Sequence, residues 1–157
     1  MENLAEVFDS DSMAYEALEK FIYFLEDIDF AVEMELMGIG RLQFMRRRQM
    51  LIEWKAIYIA LWRLALASSF PEDASRMFDA FLNTYKKLHS DKINASVVER
   101  AREYWGMIQP HGDSDFSDIA RHLCSFFGQE KQDMRSLNLK IVLHVRKAYR
   151  IIFDKLI

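Results

Sequence analysis

The sequence predicts an all-α fold, and three observations carry that expectation. Apolar residues recur at intervals of three and four, and no run alternates strictly as a half-buried strand would. Only two prolines and five glycines occur, and they punctuate the chain instead of clustering into linkers. With 157 residues, 51% of them apolar and 29% charged, the chain suits one globular domain over 1–157. A domain of that size removes about 70% of its unfolded surface from water, so it needs neither a metal nor a disulfide to fold. The single Cys124 cannot close an internal bridge and points to a reducing compartment.

Residues 1–11 are read as a disordered N-terminus. The stretch is acidic and lacks the positive start and apolar core of a signal peptide, which predicts a cytoplasmic protein. The first helix is expected over 12–37, with Ala14, Leu18, Phe21, Leu25, Ile28, Val32 and Leu36 along one stripe, and "GIG" at 38–40 ends it. The second covers 41–68. Ser69 and Glu72 then read as a capping box, with Pro71 in the first turn of a third helix over 71–89. Ser96 with Glu99 reads as a second box, opening a fourth helix that presents Val97, Ala101, Tyr104 and Ile108. "QPHGDSD" breaks the chain at 109–115. A short fifth helix carries Phe116, Ile119, Leu123 and Phe127, and the last, over 134–155, turns Leu137, Ile141, Val145 and Ile152 inward. A single-domain bundle of about six helices is expected.

The second helix is the central one. At about 100° per residue, Met50, Trp54, Ile57, Tyr58, Leu61 and Trp62 fill one broad face, while Ala56, Ala60 and Ala67 line part of the other and let a neighbour approach closely. Glu53, Lys55 and Arg63 interrupt it, so no apolar span of about 18 residues exists and a membrane-crossing helix is not expected. A tight turn at 38–40 makes the first two helices an antiparallel hairpin. In that register Arg46, Arg47 and Arg48 reach Glu26, Asp29 and Glu33, and exposed pairs of this kind contribute about 0–1 kcal/mol each.

Charge is distributed unevenly: residues 1–37 hold eleven acids and one base, and residues 38–157 hold thirteen acids and twenty bases. The arginine run and the basic last helix, with Lys140, Arg146, Lys147 and Arg150, raise nucleic acid as a partner through 41–48 and the C-terminal helix. The domain is acidic overall, however, with a net charge of −3, and no aromatic or glycine-rich RNA motif accompanies the run, so this reading is disfavoured.

No catalytic constellation is present. The sequence lacks a Glu-x-x-His pair, a Gly-x-Ser-x-Gly elbow, a phosphate-binding glycine loop and a dinucleotide fingerprint. No cofactor or metal is therefore expected. The weak metal candidates are His111, Asp113, Asp118 and His122, and capping and turn chemistry by Asp113, Ser114 and Asp115 is the favoured reading of this stretch. His144 falls on the apolar face of the last helix and reads as a buried histidine bonded by a neighbour.

One anomaly remains, on the first helix away from its core stripe. Glu19, Tyr23, Glu26, Phe30, Glu33 and Met34 set large apolar groups among carboxylates, resembling the core and rim of an interface. The leading expectation is a non-enzymatic cytosolic protein acting as adaptor, regulator or inhibitor through contact with a protein partner or a second copy of itself. The alternative is a bundle that binds a small apolar ligand, since nine Met, twelve Phe and three Trp could line a cavity.

Overall fold

The computed structural model describes residues 12–127 and 134–156, and among these the chain is entirely helical and turn. Seven helices follow in order: α1 (Ser12–Asp27), α2 (Ala31–Leu36), α3 (Phe44–Ser69), α4 (Ala74–Leu88), α5 (Lys92–Ile108), α6 (Ser117–Ser125) and α7 (Met134–Leu156). No helix among the described residues is long and apolar enough to cross a membrane.

The centre is α3, which packs most extensively on α5 and next on α7, with α4, α1 and α2 around the remainder. Its small residues do what their size allows. Ala56 and Ala60 are wholly buried, as are Val97, Ala101 and Tyr104 of α5, and a helix apolar on both sides must be covered on both. Toward α1 and α4 the packing is aromatic. Phe21 stacks on Trp62 with centroids 4.7 Å apart, and Phe81 tilts against both at 5.3 and 5.2 Å. Burying each large apolar side chain of this kind contributes about 1.5–3 kcal/mol.

The first expected helix is not continuous. It stops at Asp27, and Phe30 takes the left-handed conformation, φ 61°, before α2 begins. Asp29 stabilises the break, its carboxylate accepting from the Ala31 amide at 3.0 Å, the turn chemistry a short acidic side chain offers. A left-handed non-glycine residue costs roughly 1–2 kcal/mol. The Phe30 ring offsets that cost by being buried edge-on against Tyr58, 5.3 Å between centroids. The break also resets the helical phase, so Val32, expected in the core, is 61% exposed. Gly38 ends α2 as expected, at φ 69°, with Ile39 donating to the Met34 carbonyl and Gly38 to Glu35, the paired closure that a left-handed glycine permits.

The same reset corrects the hairpin. Phe21 lies on Trp62, where the expected register would place Ala56. The three arginines do not meet the carboxylates assigned to them. Arg46 sits over the Phe127 ring at 5.0 Å, Arg47 donates to the Ile39 carbonyl at 3.5 Å, and Arg48 is exposed.

Both expected capping boxes are also displaced. Ser69 is the last residue of α3, and α4 starts after Asp73. Helix α5 starts at Lys92, capped by Asp91, which accepts from the Asn94 amide at 2.9 Å; Ser96 lies inside the helix and donates to the Lys92 carbonyl at 3.0 Å.

Candidate functional site

The break at Phe30 divides the acidic face assigned to the first helix. Glu19, Tyr23 and Glu26 remain on the surface of α1, with Tyr23 64% exposed, whereas Phe30, Glu33 and Met34 are 1–2% exposed and belong to the core. The continuous six-residue contact surface expected from the sequence is therefore corrected to its α1 half.

Glu33 is held inside by specific partners. Its Oε2 accepts from the Tyr58 hydroxyl at 3.4 Å and lies 3.4 Å from His144 Nε2, while the His144 ring stands edge-on to Trp54 with centroids 5.6 Å apart. Burial, reinforced by the carboxylate beside it, pushes the Tyr58 hydroxyl well above its ordinary range, so it stays a donor. His144 thus sits as expected, largely buried and facing a partner; the partner comes from α2, far away in sequence.

A second buried carboxylate, Glu53, lies between α3 and α5. Arg100 Nε approaches Oε1 at 3.2 Å and the Tyr104 hydroxyl donates to Oε2 at 3.1 Å. Burial raises the Glu53 carboxyl, with Arg100 and Tyr104 opposing. His122 of α6 closes this cluster edge-on to Tyr104 and Phe126, at 5.4 and 5.3 Å between centroids. Its Nε2 is buried without a hydrogen-bond partner, and burial, followed by the charge of Arg100, lowers its proton affinity. A neutral histidine beside a paired carboxylate makes a polar layer inside the α3, α5 and α6 packing. The satisfied bonds of Glu53 to Arg100 and Tyr104 fix α3 against α5, whereas His122 Nε2 makes none.

Of the metal candidates, only His111 and Asp118 are brought together. His111 pairs with Asp118 at 3.3 Å, Asp118 also pairs with Arg121, Asp113 is exposed in the loop, and His122 faces Tyr104. No group of three or more His, Cys, Asp or Glu side chains able to hold a metal exists among the described residues. Asp115 turns the chain into α6, accepting from the Ser117 amide at 2.8 Å, and Ser117 holds its carboxyl below the usual carboxylate range. Cys124 is buried, which raises its thiol, the reverse of what nucleophilic activation requires.

The surface feature the sequence reading missed is a ridge at the start of α3. Leu42, Phe44 and Met45 are 84, 71 and 87% exposed, flanked along the chain by exposed Arg41 and Arg48. A signal for it exists. Projecting the stripe through Met50 and Trp54 back by one turn falls on Arg46 and Arg47, which are half-buried, and leaves Phe44 and Met45 pointing away. Compared with protein-family models, curated proteins and solved structures, the chain matches none.

Proposed function

We propose that the protein is a cytoplasmic, non-enzymatic adaptor, regulator or inhibitor that works by protein contact, and that Leu42, Phe44 and Met45 form the centre of the contact. The observation that carries this reading is their exposure. Three large apolar side chains within four residues stand in water. The flanking Arg41 and Arg48 supply a cationic rim, which fits an acidic amphipathic helix on the partner. Exposed Tyr23 with Glu19 and Glu26 on α1 offers a smaller acidic surface to the same or another partner.

A photo-reactive residue at position 45, compared with one at exposed Asn83 of α4, tests the assignment in the native host. The expected result is a protein adduct formed from position 45 alone. Its cross-linked segment should carry acids and apolar residues at helical spacing, and Phe44→Ala should abolish it. Equal cross-linking from both positions, or adducts of lipid or nucleic acid at position 45, would overturn it.

A further inference from the structure

A cleft of about 260 Å³ lies between α1 and α4, over part of α3, on a different part of the chain from the ridge. Its inner wall is Phe81, buried and packed against Trp62, and Ile22, Leu25, Ile28 and Leu88 continue the apolar lining. The volume lies below the 300–1,000 Å³ or so typical of drug-sized ligands, which restricts an occupant to a few heavy atoms around one apolar group.

Two side chains of opposite charge share this lining, Glu26 from α1 and Lys55 from α3. No ion pair joins them, and neither is paired with another side chain among the described residues. Tyr85, Asn94 and His89 are engaged with one another. The Tyr85 hydroxyl donates to Asn94 Oδ1 at 2.8 Å, and the His89 ring lies against that of Tyr85 at 4.6 Å. Tyr85 and Asn94 thus shape one end of the cleft, and recognition falls to Glu26 and Lys55.

We propose that this cleft binds a small zwitterion with an apolar body, the class of the aliphatic and aromatic α-amino acids, with its carboxylate at Lys55 and its ammonium at Glu26. A monoanion would gain Lys55 but face Glu26, and a monocation the reverse. An uncharged hydrocarbon would remove water from both charges and pair neither. Only a ligand carrying both signs beside an apolar group satisfies the whole lining, and charge-assisted hydrogen bonds at the two ends would fix its orientation.

Amide chemical-shift titrations of the full chain with L-leucine, L-phenylalanine, 4-methylpentanoate and isoamylamine test this directly. The two amino acids should shift amides of 22–28 and 81–89, and each single-charge analogue should bind about tenfold more weakly than leucine. Lys55→Met should weaken leucine about tenfold and strengthen isoamylamine, which no longer faces a like charge; Glu26→Gln should weaken leucine equally and strengthen 4-methylpentanoate for the same reason. Each variant's own amide spectrum reports whether it is folded, and the comparison of the four ligands on the parent protein needs no variant. The proposal is overturned if the single-charge analogues bind as well as leucine, if both variants bind leucine unchanged, or if no ligand shifts the cleft amides at millimolar concentration. None of these outcomes bears on the ridge at the start of α3.

Discussion

The first turn and the middle of α3 carry similar side chains in opposite surroundings. From Met50 to Leu66 the helix is buried on nearly every side, down to Glu53, whereas Phe44 and Met45 in its first turn stand in water. The difference lies in the neighbours. Helices α1, α4, α5 and α7 pack on α3, and its buried residues run from Met50 to Leu66 while those of its first turn are not among them. Apolar content therefore has two meanings within one helix. In the middle it holds the fold together; at the start it stands in water, and protein contact is the role we propose for it.

The comparison is broken most severely at Trp62. Trp62→Ala removes the ring that Phe21 and Phe81 pack against, and should cost about 3–5 kcal/mol, read by chemical or thermal denaturation. Trp62→Phe keeps a stacking ring and deletes an indole N–H that is buried without a hydrogen-bond partner, so it should cost much less. Next comes Glu53→Ala, which leaves Arg100 and Tyr104 facing an empty acceptor position and should destabilise by about 3 kcal/mol. A loss below about 1 kcal/mol in either alanine variant would mean that the middle of α3 is less decisive than its burial indicates.

The polar layer beside Glu53 sharpens the comparison through pH. Burial lowers the folded-state proton affinity of His122 from its ordinary value of 6.5, so below that value the unfolded chain binds more protons at this site and stability is lost as pH falls. Glu53 has the opposite sign. Its folded-state pKa is raised from 4.5, so its contribution is present below that value and is lost as pH rises through the folded pKa. The melting-temperature difference between the parent and His122→Gln should therefore grow in the parent's favour as pH rises toward 6.5 and level off above it. A difference independent of pH would show that His122 is not coupled to folding in this way.

How much of this was legible in the sequence depends on whether one helix or several decide the outcome. The two-sided burial of α3 was readable because Ala56 and Ala60 lie roughly opposite Trp54 and Tyr58 at helical spacing. The stop at Gly38 was readable from local turn chemistry. The break at Phe30 was not, since a left-handed phenylalanine is held there by Tyr58, which is remote in sequence. That one residue moved Glu33 and Met34 from the expected contact face into the core and shifted the hairpin register. Ser96 was expected as the cap because a two-residue box is a strong pattern, but Asp91 makes the bond. The ridge was hidden for a different reason: whether Phe44 and Met45 are covered depends on where neighbouring helices end, which periodicity does not encode.

The smallest expected effect on stability is the one that tests the central claim. The double substitution Phe44→Ala with Met45→Ala should leave stability within about 0.5 kcal/mol of the parent, while truncation of central contact anchors costs about 2 kcal/mol or more of binding. The direct measurement is one experiment on this variant with two readouts: thermal melting, and photo-cross-linking in the native host from a probe at position 42. The account predicts an unchanged melting temperature together with loss of the protein adduct. A melting temperature lowered as far as that of Trp62→Ala, or an adduct formed as efficiently as in the parent, would contradict it.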